Sequence, residues 1–281
     1  MKQESPVVPV QWLYERLNDA ELIVLDASPE SNVSGLVPEF IGVRIPNARP
    51  FDIKNHFTNK ATDVPNMLPS PVDFQREARA LGINKSSTIV VYDNLGIYTS
   101  ARAWWMFRAM GFESIFVLDG GLSAWAQAGF LLERMRISTY ESGDFEADFR
   151  GDLVSEYKEV AASLDNHETS IIDARGAGRF EGLSPEPREG LRSGHIPSSV
   201  NVAYKDVLEN GRLKSQAELK RLFAKIDSDK PMVFTCGSGL TACIVMLASE
   251  MVCPNVQKSV YDGSWSEWGQ RYELPIAIGN A

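Results

Sequence analysis

A cysteine stands where an apolar strand gives way to a glycine-rich loop and then to a helix. The stretch VFTCGSGLTACIVML runs from Val233 to Leu247, and its first apolar run stops at Cys236. Gly237 and Gly239 allow successive backbone N–H groups to turn towards one point, and the following helix adds the partial positive charge of its N-terminus. Such a loop stabilises a thiolate. Cys236 is therefore predicted to be a nucleophile rather than a small core residue.

The remaining cysteines and the start of the chain restrict the class of protein. Cys243 lies inside the apolar helix and Cys253 precedes Pro254, so both are predicted to be structural. Three cysteines without zinc-type or C-x-x-C spacing argue against a disulfide framework, and no metal or organic cofactor is predicted. MKQESPVVPV lacks the apolar core of a signal peptide, and no run approaches the ~18 apolar residues of a membrane helix. We therefore expect a soluble cytoplasmic protein without a membrane segment.

The length and net charge of the chain limit the number of domains and the kinds of partner. The chain has 281 residues, of which 44% are hydrophobic and 23% charged, as in ordinary globular proteins. Its net charge of -9, from 28 basic and 37 acidic side chains, argues against nucleic acid or an anionic membrane as a partner. At roughly 100–200 residues per domain, two domains are expected, each long enough to bury its own core.

Four short motifs occur twice in the same order, which indicates that one domain has been duplicated. LIVLDAS resembles SIIDAR, VRIPNA resembles GHIPSSVNV, STIVVYDN resembles KPMVFTCGS, and IFVLDGGLSAWAQAG resembles KSVYDGSWSEWG. Each copy alternates compact strand-like runs with longer helical patterns such as SARAWWMFRAM, after which Gly111 is predicted to end the helix. This alternation predicts an α/β fold, in which each domain has a mainly parallel sheet flanked by helices.

A polar segment, LERMRISTYESGDFEADFRGDL, separates the two copies. It predicts a linker over residues 139–152, between an N-terminal domain of residues 1–138 and a C-terminal domain of residues 153–281. Alignment of the copies sets Asp93 opposite Cys236, so the N-terminal domain is predicted to be noncatalytic. Because the duplication completes a two-lobed unit within one chain, a monomer is expected.

A cysteine loop after a strand also serves phosphatases, which use a C-x5-R pattern whose arginine closes over the phosphate. Ala242 stands six residues after Cys236, where that arginine would be. Hydrolysis of phosphate esters is therefore not predicted.

The residues instead resemble those of the rhodanese superfamily. The resemblance rests on CGSGLTA, DGSWSEWG, the paired DA and HIP motifs and SARAWWMFRAMGF, and it extends from Trp12 to Trp268. Thiosulfate sulfurtransferases of the family usually carry basic residues in the cysteine loop, whereas the uncharged loop here is similar to the mercaptopyruvate branch. The resemblance implies two rhodanese domains, of which only the second is catalytic. It also implies that Cys236 takes sulfur from 3-mercaptopyruvate as a persulfide, releases pyruvate, and passes the sulfur to thioredoxin, a small thiol or cyanide.

The resemblance further implies roles for residues around the cysteine. Arg179 and Arg188, in the motifs GRF and EPR, match arginines that grip the carboxylate and keto oxygens of the substrate. A guanidinium group suits this role because it binds a carboxylate through two parallel hydrogen bonds. Ser238 is expected to donate a hydrogen bond to the substrate or to the leaving enolate. The loop residues expected to contact substrate are Gly237, Gly239, Leu240 and Thr241, of which Thr241 is also expected to cap the helix.

Other polar and aromatic residues near these motifs are predicted to be structural, because strand-end aspartates order turns and tryptophans fill cores. They are Asp173, Arg175, Arg192, His195, Trp104, Trp105, Trp125, Trp265 and Trp268.

The first copy departs from the family at one position. The family usually has the motif HIP there, and a proposed Asp/His/Ser relay uses the histidine of that motif. In this chain Arg44 stands in place of the histidine. His56 and His167 are not at matching positions. We therefore expect Cys236 to be activated by loop amides and the helix dipole, with Arg44 adding to the positive field.

Two alternatives to the mercaptopyruvate assignment remain. One is a thiosulfate:cyanide sulfurtransferase on the same fold, and the other is a noncatalytic persulfide carrier that delivers sulfur to a partner protein.

Overall fold

The computed structural model describes residues 5–279, which divide into two compact units. Within that range, unit 1 contains residues 5–59, 68–150 and 210–213, and unit 2 contains residues 60–67, 151–209 and 214–279. Residues 60–67 and 210–213 therefore each belong to a different unit from the residues that flank them in the chain. No pattern in the sequence indicates that these two segments belong to the other unit.

Unit 1 is built on a five-stranded sheet with the order β1-β6-β5-β2-β4, in which every neighbouring pair is parallel. A small antiparallel pair, β3 with β7, lies outside this sheet. The elements up to the end of β7 are β1 (Val7–Val8), α1 (Val10–Arg16), β2 (Leu22–Asp26), β3 (Val43–Arg44), β4 (Arg49–Pro50), α2 (Pro71–Ala80), β5 (Thr88–Tyr92), α3 (Ser100–Ala109), β6 (Ile115–Leu118), α4 (Gly121–Gln127) and β7 (Glu133–Arg134).

Unit 2 is built on a second five-stranded parallel sheet with the order β10-β9-β13-β14-β8. Short 3-10 helices cover Gly151–Leu153 and Tyr204–Val207. The remaining elements are β8 (Val154–Ser155), α5 (Tyr157–Asn166), β9 (Ser170–Asp173), α6 (Ala177–Phe180), β10 (Val200–Asn201), β11 (Leu208–Glu209), β12 (Arg212–Leu213, in unit 1), α7 (Gln216–Phe223), β13 (Met232–Thr235), α8 (Ala242–Glu250), β14 (Lys258–Tyr261) and α9 (Ser264–Trp268).

The two sheets are copies of one another. Read from the first strand of each unit, the order β1-β6-β5-β2-β4 is repeated as β8-β14-β13-β9-β10. The predicted duplication and the predicted α/β fold are therefore confirmed. All four residues of β13 are buried, as expected of a central strand in a parallel sheet that is covered on both faces.

The helices behave as their sequences predict. In α8, every residue from Ala242 to Ser249 is buried, which explains its apolar composition on all sides. Gly111 ends α3 as predicted, with a φ of 79° and its N–H donated to the carbonyl of Arg108. A side chain at Gly111 would lie 2.5 Å from the carbonyl oxygen of Asp148, so only glycine fits. Between residues 5 and 279, no helix is long and apolar enough to cross a membrane.

The segment predicted as a linker has no helix or strand over residues 139–150, and part of it is anchored to unit 1. The N–H of Gly143 bonds to the carbonyl of Arg79, and that of Phe145 bonds to the carbonyl of Ile83. The Phe145 ring is 1% exposed and meets Phe107 edge-on, within the aromatic core of unit 1. The linker therefore adds a core side chain to the domain that it leaves.

Asp93 and Cys236 follow equivalent strands of the two sheets. Tyr92 in β5 and Thr235 in β13 each pair with the aspartate that ends the neighbouring strand, Asp26 in β2 or Asp173 in β9. Asp93 and Cys236 are the residues directly after these two strands, which supports the alignment that sets them opposite one another.

The Asp93 carboxylate fills the loop of the first copy. One of its oxygens accepts the N–H of Leu95 at 2.9 Å, and the other accepts those of Tyr98 at 2.8 Å and Ser100 at 2.9 Å. Burial raises the pKa of Asp93, and these hydrogen bonds oppose the rise. The loop amides of this copy are thus held by a carboxyl group of the chain itself.

Replacement of Asp93 by alanine is expected to destabilise unit 1, because it removes the carboxyl acceptor of three amides, two of them buried. The expected loss in the free energy of unfolding is about 3 kcal/mol. The measurement is urea denaturation, with amide hydrogen exchange at Leu95, Tyr98 and Ser100 as the local readout. Asp19→Ala, at an exposed position, is the matched control and should change neither quantity. Equal effects of the two substitutions would contradict this account of Asp93.

Candidate active site

Cys236 lies at the carboxyl end of β13, the central strand of the unit 2 sheet, and opens the loop that leads into α8. Its side chain is free and the residue is 2% exposed. Ligands of open parallel sheets bind beyond this end of the strands. The predicted strand–loop–helix context of the cysteine is therefore present.

The segment after β14 holds this loop in shape. The hydroxyl oxygen of Ser264 accepts the N–H groups of Cys236 and Gly239, both at 3.1 Å, and donates to the carbonyl of Tyr261 at 2.8 Å. The carbonyl of Gly237 accepts two hydrogen bonds from Ser266, at 2.9 Å from its N–H and 2.6 Å from its hydroxyl. The motif DGSWSEWG thus supports the cysteine loop.

Several loop amides remain available for an anion. Among residues 5–279, no acceptor receives the N–H of Gly237, Ser238, Leu240 or Thr241, and α8 begins directly after them. Backbone N–H groups at a helix N-terminus bind anions well, which suits a negatively charged sulfur on Cys236.

One expectation for the loop needs correction and another stays a prediction. The N–H of Gly239 is donated to Ser264, and its φ of 73° makes it a residue that turns the loop, while its contact with substrate stays a prediction. Thr241 stands at the N-cap of α8, yet its hydroxyl makes no capping hydrogen bond. Leu240 and Thr241 are both partly exposed.

Arg179 lies beside the cysteine loop, as predicted for a substrate-binding arginine. A side-chain carbon added to Gly237 would lie 2.9 Å from Nη2 of Arg179, so the guanidinium packs directly against this glycine. Glu186 holds the guanidinium through bonds of 2.5 and 3.2 Å, while 27% of the Arg179 side chain remains exposed. The loop therefore has an oriented positive charge at its edge.

Glu186 also binds a second, buried arginine. Arg175 bonds to Glu186 at 2.9 Å and to Asp173 at 2.6 Å, and its guanidinium lies 4.3 Å from the ring centre of Trp265. Burial acts against the charge of Arg175, but Asp173 and Glu186 outweigh burial and raise its pKa. Asp173 and Arg175 are therefore structural, as predicted, and they fix the carboxylate that orients Arg179.

Arg188 is partly buried and bonds to none of the residues between 5 and 279. No contact ties it to the cysteine loop, so its role stays a prediction. Arg192 is structural, since its guanidinium donates to the carbonyls of Gly269, Leu274, Trp268 and Arg271.

The histidines and tryptophans of the motifs are also structural. His195 is 2% exposed, stacks on Phe180 at 3.7 Å, and has Nδ1 2.8 Å from the carbonyl of that residue. The five tryptophans predicted to be core residues, Trp104, Trp105, Trp125, Trp265 and Trp268, are at most 2% exposed. Arg44 does not act as a free charge, because its Nε bonds to Glu133 at 2.8 Å within unit 1.

Ser238 has a partner that the sequence did not indicate. Nδ2 of Asn66 lies 3.0 Å from the hydroxyl oxygen of Ser238 and 3.4 Å from its carbonyl oxygen. Asn66 belongs to the segment 60–67, which is part of unit 2. Because a loop asparagine far away in the chain carries no periodic signal, only the folded structure reveals this contact.

Metal binding finds no support in this geometry. Over the described range, no three or more His, Cys, Asp or Glu side chains are grouped so that they could hold a metal ion.

Comparison with known proteins extends over both units. The rhodanese-like domain family matches residues 9–128 and, a second time, residues 156–271. The 3-mercaptopyruvate sulfurtransferase of Escherichia coli strain K12 is 38% identical over 275 residues, which cover 96% of this chain and 96% of that protein. The thiosulfate sulfurtransferase of Bos taurus is 36% identical over 276 residues, covering 94% of this chain and 92% of that protein.

A solved structure agrees with the fold as well. The crystal structure of SseA from Escherichia coli, described as a 3-mercaptopyruvate sulfotransferase with the rhodanese fold, superposes with a TM-score of 0.83. Its sequence identity is 34%, and the match covers 93% of this chain and 99% of that chain.

Arg179 is expected to draw anions to Cys236, and alkylation of the thiol can measure this. Arg179→Gln should lower the rate of reaction with iodoacetate several-fold more than the rate with neutral iodoacetamide, because only the anion is attracted by the guanidinium. Arg221→Gln, at an exposed position of α7, removes the same charge and serves as control. An unchanged ratio of the two rates in Arg179→Gln would show that its charge does not act at the thiol.

Proposed function

The chain belongs to the rhodanese family, and we propose on this basis that it is a 3-mercaptopyruvate sulfurtransferase that works through a persulfide on Cys236. The observation that carries the proposal is the position of Cys236 in an uncharged loop with Arg179 at its edge. The named activity of the Escherichia coli relative, over nearly the full length of both chains, supports it.

The proposed transfer needs no cofactor, because its atoms and electrons balance between enzyme and substrate. The thiolate of Cys236 attacks the sulfur of 3-mercaptopyruvate, an S–S bond forms, and the C–S bond breaks. The electron pair passes to the carbon as the enolate of pyruvate, which takes the proton released by the substrate thiol. Cys236 is left as a persulfide anion, for which the unoccupied loop amides are suitable partners.

The second half of the reaction returns the enzyme to its starting state. A thiolate acceptor attacks the outer sulfur, the S–S bond breaks, and Cys236 leaves as a thiolate. We propose thioredoxin, a small thiol or cyanide as acceptor. We also propose that the enzyme is cytoplasmic and monomeric; its three cysteines form no disulfide, which suits a reducing compartment.

We propose that the substrate is bound by two arginines, the hydroxyl of Ser238 and the residues of the cysteine loop. Arg179 and Arg188 bind the carboxylate and keto oxygens, and Ser238 donates to the oxygen that becomes negative in the enolate. The remaining contacts come from Gly237, Gly239, Leu240 and Thr241. We assign catalysis to the C-terminal domain, residues 153–281, together with the segment 60–67. Residues 1–138 form the noncatalytic copy, and residues 139–152 link the two.

Donor choice separates this proposal from its main alternative. The Bos taurus relative is named for thiosulfate and is about as similar as the Escherichia coli protein, so overall similarity does not decide between donors. The absence of basic side chains from Gly237 to Thr241 favours the monoanionic mercaptopyruvate over the dianionic thiosulfate.

Wild-type protein is expected to release pyruvate from 3-mercaptopyruvate far more efficiently than it forms thiocyanate from thiosulfate, with cyanide as common acceptor. Cys236→Ser should abolish both reactions, whereas Cys253→Ser, the control thiol, should retain them. Preference for thiosulfate would support the alternative donor. Sulfur binding without turnover would support a persulfide carrier.

Arg188→Gln and Arg179→Gln are each expected to raise KM for 3-mercaptopyruvate about tenfold or more, because a charge-assisted hydrogen bond to the carboxylate is lost. Steady-state pyruvate release measures this, with Arg221→Gln as the charge-matched control. An unchanged KM in Arg188→Gln would remove Arg188 from the site and leave Arg179 as its cation.

A further inference from the structure

The contact between Asn66 and Ser238 has a defined direction. A carbonyl oxygen can only accept hydrogen bonds, and the carbonyl of Ser238 lies 3.4 Å from Nδ2 of Asn66. The amide nitrogen, rather than the amide oxygen, must therefore face the loop. It follows that Asn66 donates and the hydroxyl oxygen of Ser238 accepts, at 3.0 Å.

This direction leaves the hydroxyl hydrogen of Ser238 free to point elsewhere. Within residues 5–279, no oxygen or nitrogen accepts it, although Ser238 is only 7% exposed. A hydroxyl that already accepts a hydrogen bond is polarised and becomes a better donor. The Ser238 hydroxyl can therefore donate its hydrogen to a group that binds at the loop.

The chemical nature of Asn66 limits what Ser238 can do. A carboxylate or an imidazole in this position could take the serine proton, but a neutral side-chain amide cannot. Ser238 therefore stays a neutral hydroxyl while it donates.

We propose that Asn66 is a positioning residue of the sulfur-transfer reaction. Its side-chain amide holds the hydroxyl oxygen of Ser238, so that the hydroxyl hydrogen is presented to the oxygen that becomes negative as pyruvate enolate leaves. This proposal rests on the proposed function. It gives the segment 60–67 a part in the reaction and explains how Ser238 is oriented without a histidine.

The backbone of Asn66 determines which variants are informative. Its φ is 63°, in the left-handed region that glycine, asparagine and aspartate tolerate and that alanine disfavours. Asn66→Gly therefore removes the amide without backbone strain. Asn66→Asp keeps the size of the side chain but can only accept, so it would take the hydroxyl hydrogen of Ser238 for itself.

The experiment is a double-mutant cycle on pyruvate release from 3-mercaptopyruvate, using Asn66→Gly, Ser238→Ala and the double variant. We expect Asn66→Gly to lower kcat about three- to tenfold with little change in KM, because the oriented hydrogen bond strengthens as charge develops. In the Ser238→Ala background the same change should have no further effect. Asn66→Asp should lower kcat more than Asn66→Gly.

A purely structural role would give other results. Loss of loop order would change the rate of alkylation of Cys236 by iodoacetamide, because the thiol is 2% exposed in the ordered loop, whereas a positioning role leaves that rate unchanged in Asn66→Gly. Thr62→Ala is the matched control, since Thr62 bonds to the N–H of Val64 within the same segment and should leave kcat unchanged. Wild-type kcat in Asn66→Gly, or an equal loss with and without Ser238, would overturn the proposal.

Failure of the proposed function is measured separately. Wild-type protein that releases no pyruvate overturns the choice of donor, and the same cycle is then run on thiosulfate, whose leaving sulfite is also an anion. Coupling between Asn66 and Ser238 on that donor supports the positioning role, and independent effects overturn it.

Discussion

The hydroxyl of Ser264 is the interaction on which the site depends. It is fully buried, and it gathers two amides of the cysteine loop while it donates to the carbonyl that ends β14. A glycine-rich loop has many backbone conformations, and three buried hydrogen bonds to one side chain select a single one. The amides that Ser264 does not use are left for an anion at Cys236.

The loops of the two copies share a backbone hydrogen bond but differ in the residue that opens them. Leu122 donates its N–H to the carbonyl of Asp93 at 3.0 Å, and Trp265 makes the equivalent bond to Cys236 at 3.0 Å. In the first copy an internal carboxylate occupies the loop amides, so no external anion is needed. In the second copy a thiol takes the place of this carboxylate, and the N–H groups of Gly237, Ser238, Leu240 and Thr241 have no acceptor among residues 5–279. The two loops therefore share a position in the fold and differ in whether their amides are satisfied.

Ion pairs hold the arginine at the edge of the loop in place. Asp173 and Arg175 form a buried pair, and Glu186 connects that pair to Arg179. A buried carboxylate shared by two arginines has its charge neutralised, while the Arg179 side chain stays 27% exposed. A protein of net charge -9 thus carries a local, partly exposed positive charge beside Gly237.

The duplication and the α/β fold could be predicted from the amino-acid sequence, because both follow from local patterns that repeat in order. The same patterns placed Cys236 directly after a buried strand and predicted that Arg175 and His195 are structural, whereas the roles of Cys236 and Arg179 in the reaction stay predictions. The folded structure was needed to show that Gly239 bonds to Ser264, that Arg44 is held by Glu133, and that Asn66 contacts Ser238. These are contacts between residues far apart in the chain, or hydrogen bonds whose direction depends on where neighbouring atoms lie. Local periodicity carries no information on either, since it records which face a residue occupies and not which distant atom it meets.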